Sequence, residues 1–186
     1  MNTSELFDQQ IEICRQVFLK KNQDYGTSWR IMRPSSITDQ LFIKAQRIQT
    51  LEKLKKQMVG EGIETEFIGI VNYAIMGLLQ LQLINDTRTD IPLDELIGLY
   101  DNQVANIKSL MLAKNHDYGE AWRDMRITSF TDLILMKLLR IKQMENNECK
   151  PLFSEGIDAG YCDIVNYAIF ALIKLQESSK ENFTKK

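Results

Sequence analysis

Lys21-Asn22-Gln23-Asp24-Tyr25-Gly26-Thr27-Ser28-Trp29-Arg30-Ile31-Met32-Arg33 returns 93 residues later as Lys114-Asn115-His116-Asp117-Tyr118-Gly119-Glu120-Ala121-Trp122-Arg123-Asp124-Met125-Arg126. Extended without gaps, positions 21–52 and 114–145 share 16 of 32 residues. Positions 61–81 and 155–175 share a further 11 of 21, at an offset of 94. The chain is a tandem duplication, and that fact organises every other reading. Apolar identities are what any pair of helices would keep. Lys, Asn, Asp, Tyr, Trp and two Arg also recur in register, so both halves retain a polar, aromatic and cationic set.

At 186 residues the chain is one domain or two small ones. A compact chain of this length buries roughly 70% of its unfolded surface, whereas either half alone is more marginal. The halves are therefore expected to pack as an internal pseudo-dimer: repeat one over 1–86, a linker at 87–92, repeat two over 93–176, and a polar, frayed tail at 177–186. The net charge of −2 argues against a duplex nucleic-acid partner, which calls for a basic face. It leaves room for a local cationic pocket. Cys14, Cys149 and Cys162 do not align between the repeats and form no Cys-x-x-Cys pair, so free thiols in a reducing, cytoplasmic setting are expected. The N-terminus carries no cleavable signal. The apolar run 67–84 is broken by Asn72, Gln80 and Gln82 and reads as a buried helix, with no membrane partner. A homo-oligomer stays open.

Helical periodicity is the main local signal. Phe7, Ile11, Cys14 and Phe18 mark a helix over 4–21, with Thr3 or Ser4 as its cap and Asp24-Tyr25-Gly26 as its stop. Ser36-Ile37-Thr38-Asp39 resembles a capping box that starts a second helix, running to about Gln57, and Ser129-Phe130-Thr131-Asp132 repeats it. A third helix, 64–85, is apolar nearly all round and so central. It contains Asn72 and Tyr73, repeated as Asn166 and Tyr167, and both amides should find partners because a buried unpaired one costs about 1–3 kcal/mol. Pro92 suits the first turn of the next helix. The second half repeats the plan over 93–114, 130–147 and 157–176. The predicted fold is all-α, six helices, three per repeat.

P-loop, dinucleotide-binding, nucleophile-elbow and zinc spacings are absent from the sequence. The strongest constellation is the repeated loop with the helix after it. In the first repeat these are Lys21, Asn22, Asp24, Tyr25, Trp29, Arg30, Arg33, Lys44 and Arg47. Their counterparts are Lys114, Asn115, Asp117, Tyr118, Trp122, Arg123, Arg126, Lys137 and Arg140. Lys and Arg suit phosphate oxygens, and an aromatic face suits a base, so the set points to a nucleotide. The competing reading makes the tryptophans core anchors, with Asp24 and Asp39 bonding the guanidinium groups. Aligned on Asn72 and Asn166, Glu66 matches Gly160 and Gly69 matches Asp163, so each third helix keeps one part of a Glu-x-x-Asp pair. Glu61 and Glu155 recur just before those helices. A buried acid needs a partner or a metal. Any metal here would be hard and oxygen-bound, with Mg²⁺ the default and Glu66, Glu155 and Asp163 its nearest acids.

Lys-Asn-x-Asp-Tyr-Gly ending a first helix, Lys-x-x-Arg-Ile in a second and Asn-Tyr-Ala-Ile in a third resemble the nucleotide-modification-associated domain one family, formerly domain of unknown function 1599, across both halves. A more distant similarity is to the all-α nucleoside triphosphate pyrophosphohydrolases of the MazG group. That resemblance implies Mg²⁺ held by Glu-x-x-Glu and Glu-x-x-Asp pairs and cleavage between α- and β-phosphates by a metal-activated water. On it, Glu66 and Asp163 are the catalytic acids, completing one site if the halves face each other. The sequence holds neither pair whole. Three functions stay open: an Mg²⁺-dependent pyrophosphohydrolase, a non-catalytic nucleotide-binding module, and a structural or interaction module.

Overall fold

The computed structural model describes residues 2–54, 62–146 and 156–184. It contains six α-helices: α1 (Thr3–Tyr25), α2 (Pro34–Lys53), α3 (Ile63–Gln82), α4 (Leu93–Tyr118), α5 (Ile127–Asn146) and α6 (Ile157–Thr184). Short 3₁₀ helices, Ser28–Ile31 and Ala121–Asp124, follow α1 and α4. The all-α, three-helices-per-repeat plan is thus the observed one.

Helix ends depart from the sequence reading in places. Asn2, rather than Thr3 or Ser4, caps α1, in a full capping box with Glu5. Helix α2 begins at Pro34 with Arg33 as N-cap, so Ser36 lies inside the first turn. Proline fixes the backbone angle a first turn needs and lacks an N–H that would go unused there. Helix α5 likewise starts at Ile127. Helix α6 continues to Thr184 where a frayed tail was expected, with Glu177 reaching Arg123 and the Ser178 and Ser179 hydroxyls donating to the Lys174 and Leu175 carbonyls. The predicted end of the second helix near Gln57 falls outside the described residues.

Central α3 and α6 pack on each other, with α2 against α3, α5 against α6, and α2 against α5; α1 and α4 each lie across both central helices. The Tyr161 ring sits against Gly77, where an added Cβ would lie 2.9 Å from it, so glycine is what lets α6 approach α3. The contacts between halves are reciprocal. Thr38 donates to Glu145 (2.7 Å) and Thr131 donates to Glu52 (2.8 Å), and each residue of one pair is the repeat equivalent of its opposite number in the other. Arg15 pairs with Asp101, and Lys108 with Asp8, in the same way. These exchanges define a pseudo-two-fold axis between the repeats, the internal equivalent of an isologous dimer interface. The axis maps the Gly77–Tyr161 contact onto Ala171 and Phe67, both fully buried, so α3 and α6 run antiparallel.

The connection between repeats is tied to the first of them. Ile91 is buried, its N–H donates to the Thr27 hydroxyl, and that hydroxyl donates to the Thr89 carbonyl. Cys14 and Cys162 are free thiols. Cys149 lies outside the described residues. Among the described residues no helix is long and apolar enough to cross a membrane.

Candidate functional site

Each duplicated stretch folds as a helix end, a glycine, a 3₁₀ turn and the start of the next helix. Gly26 and Gly119 take positive φ, 57° and 59°, where a side chain would be strained, and they end α1 and α4 at the Asp-Tyr-Gly stop, four residues past the helix ends expected at 21 and 114. The turn that follows buries Trp29 and Trp122. The Trp122 ring stacks on Phe170 with centroids 4.5 Å apart and 4° between planes, and the Arg123 guanidinium lies over it at 4.5 Å. Two groups that close to one centroid occupy opposite faces, so this tryptophan has no face left for a base. The tryptophans are core anchors.

Arg30 and Arg123 are equally committed. Arg30 bonds the Gln80 side chain and the carbonyls of Leu83 (3.3 Å), Asp86 (2.5 Å) and Arg88 (3.2 Å), closing the end of α3 and the connection after it. Arg123 bonds Glu120, the Thr3 hydroxyl and Glu177. The Thr3 hydroxyl, and then Arg123, hold the Glu120 carboxyl down at about 2. Gln80 and Lys174, equivalent in the repeats, both donate to turn carbonyls: Gln80 to Met32 (2.7 Å) and Arg30 (3.2 Å), Lys174 to Arg123 (2.6 Å). From sequence they register only as interruptions of the apolar runs of the two central helices. Their signal was a polar residue at one register of an otherwise apolar central helix.

The buried acids are each neutralised by two cations. Glu66 meets Lys44 (3.2 Å) and Arg47, which reach it from one face of α2. Asp163 meets Lys114 (2.6 Å) and Lys137 (2.6 Å). The swap of acid position explains the different partners. Lys44 lies over Gly69, where an added Cβ would be 3.0 Å from its Cε, whereas its equivalent Lys137 finds Asp163 at that register. Gly77 lies eleven residues beyond Glu66 (77 − 66) and Tyr161 only two before Asp163, so the two acids stand roughly 13 Å apart along the antiparallel α3–α6 pair. Each carboxylate therefore sits in its own cluster. Glu155, like Glu61, lies outside the described residues. Among those described, no three His, Cys, Asp or Glu side chains group as a metal site.

The rest of the motif faces outward. Tyr25 and Tyr118 are 69% and 73% exposed, which makes them, and not the tryptophans, the motif's accessible aromatics. Lys21, Asp24, Arg33, Asp117 and Arg126 are exposed. Lys21, Arg33 and Arg126 make no ion pair among the described residues. Arg33 and Arg126 immediately precede the first turns of α2 and α5, whose helix dipoles add positive potential there. Asp39 pairs with Lys142 of the other repeat and so bonds no guanidinium. Arg140 is not among the cations that meet Asp163 and lines a groove between α2 and α5.

The motif asparagines are the exception to this outward set. Among the described residues, the Oδ1 atoms of Asn22 and Asn115 are both buried and without a hydrogen-bond partner. Asn115 Nδ2 is 3.4 Å from the Glu120 carboxylate. In the central helices, Asn72 donates to the Cys14 carbonyl (2.9 Å) and accepts from the Tyr100 hydroxyl (3.0 Å). Both amide atoms of Asn166 are unpartnered among the described residues, contrary to expectation. For the oxygen the cause is in the repeat: the residue equivalent to Tyr100 is Phe7, which has no hydroxyl to donate.

Fold and site together define a duplicated all-α module with a polar loop at the end of the first helix of each copy. A family model, Nucleotide modification associated domain 1, matches the chain twice, over residues 21–81 and 114–175. The protein belongs to that family as a tandem copy, and each match begins on the Lys-Asn that opens the duplicated stretch. Neither a curated protein nor a solved structure gives a significant match.

Proposed function

We propose that the chain binds a nucleotide or a closely similar phosphorylated small molecule at the two duplicated loops. One observation carries the reading: in both repeats the motif asparagine, Asn22 or Asn115, keeps a buried carboxamide oxygen with no donor among the described residues. A buried acceptor without a partner costs about 1–3 kcal/mol, and a ligand N–H or O–H relieves that cost. Around it stand the groups a nucleotide would use. Tyr25 and Tyr118 offer a ring face, and Lys21 with Arg33 in one repeat and Arg126 in the other offer cations for phosphate. The family's association with nucleotide modification agrees in kind.

Binding is favoured over turnover. The MazG-like reading needs Mg²⁺ on Glu66, Asp163 and Glu155. Glu66 and Asp163 are each already paired with two cations, and a metal would have to displace them. Incubation with dNTPs and NTPs in Mg²⁺, followed by both calorimetric titration and pyrophosphate release, tests the proposal. It predicts heat of binding without pyrophosphate. Pyrophosphate release would establish the hydrolase, and absence of binding to every nucleotide would leave a structural module.

A further inference from the structure

Repeat divergence has left one acid and one cation of α5 without the partners their counterparts keep. Asp39 is met by Lys142, but the residue equivalent to Lys142 is Gln49, so Asp132 has an amide where Asp39 has an ammonium. Arg47 is met by Glu66, but the residue equivalent to Glu66 is Gly160, so Arg140 has no acid. Both Asp132 and Arg140 are exposed, and neither forms an ion pair among the described residues. Both line one groove of about 470 Å³ between α2 and α5. Phe42, Leu135, Met136 and Leu139 line it beside Gln46, Gln49 and Gln143. Ile43, the repeat equivalent of Met136, is 58% exposed, and Leu139 is 51% exposed.

We propose that this face is the docking surface for a second copy of the chain, with α5 antiparallel to its mate about a two-fold axis at Met136. Asp132 and Arg140 are eight residues apart on one helix (140 − 132), roughly 12 Å, too far to pair with each other. Met136 is the midpoint between them. An antiparallel mate crossing there brings each Asp132 opposite the other copy's Arg140, giving two equivalent ion pairs around an apolar centre. That is the self-complementarity an isologous interface requires. Two helices of this length present a face about 30 Å by 20 Å, so about 1,200 Å² is buried in all, at the lower edge of stable interfaces.

Sedimentation of the full chain at about 100 µM, a concentration that populates even a weak interface of this size, tests the proposal. A mass of about 43 kDa, twice the 21.6 kDa of one chain, is expected. Leu139→Glu should return the chain to the single-copy mass. Asp132→Arg and Arg140→Asp should each weaken association at least tenfold, and combining them should restore it, which only contact between copies explains. A single-copy mass for the native chain at this concentration overturns the proposal, as does a dimer indifferent to Leu139→Glu or a charge swap without rescue.

Discussion

Tyr100 and Phe7 differ by one hydroxyl, and that atom decides whether a buried asparagine is satisfied. Tyr100→Phe should cost about 1–2 kcal/mol, because it orphans the Asn72 oxygen. Phe7→Tyr places a hydroxyl where the two-fold axis puts Asn166, and should gain about 1 kcal/mol; urea unfolding of both variants measures this. The sequence alignment displayed the Tyr/Phe difference, but periodicity marks both only as apolar, so the missing partner was not legible. Burial also raises the pKa of Glu52 and Glu145. With the folded-state value above the unfolded one, the protonated form is favoured by folding. Their contribution is fully present at pH below the unfolded value and is lost as pH rises through the folded one. Glu52→Gln with Glu145→Gln should therefore melt above the native chain at pH 8 and level with it near pH 4, while still accepting the threonine bonds. A lower melting temperature at pH 8 would oppose this.

At the scale of elements, the duplicated loop separates into residues that build it and residues that it displays. Arg30 closes the end of α3 and the connection to α4 through bonds to Gln80 and three carbonyls. Arg30→Ala should cost about 2–3 kcal/mol, since several buried acceptors lose a charged donor. Arg33→Ala, three residues on and exposed, should stay within about 0.5 kcal/mol of native stability. Thermal and denaturant unfolding distinguish the two. Both arginines recur equally in the second repeat, so recurrence alone could not rank them. What separates them is tertiary: the turn points one guanidinium at the end of α3 and the other at solvent. The helices were legible because their apolar spacing is strong. Their starts were less so: the capping signals at Ser36 and Ser129 both lie two residues inside the observed starts, Pro34 and Ile127.

For the whole molecule, the two-fold exchange of Thr38–Glu145 with Thr131–Glu52 makes each repeat the other's missing half. Its signal was in the sequence, as identities at both the threonine and the glutamate positions, but which residue meets which depends on the crossing of α2 and α5. A fragment of residues 1–86 would expose the face of α3 that carries Phe67, Ile70 and Ile75, all fully buried in the full chain. By circular dichroism it should lack a cooperative melt, and a cooperatively folding fragment would contradict the pseudo-dimer as a single folding unit. The central functional claim is that both loops, through the buried asparagine oxygens and the displayed groups around them, bind a nucleotide. Its most direct test is calorimetric titration of the native chain and of the double variant Asn22→Ala/Asn115→Ala with the nucleotide that binds best in a panel. The account predicts saturable binding to the native chain, with thermal stabilisation of about 2.7 kcal/mol at ligand 100 times its Kd, and loss of at least tenfold in affinity in the double variant. Unchanged affinity in that variant, or no binding to the native chain by any nucleotide, would contradict it.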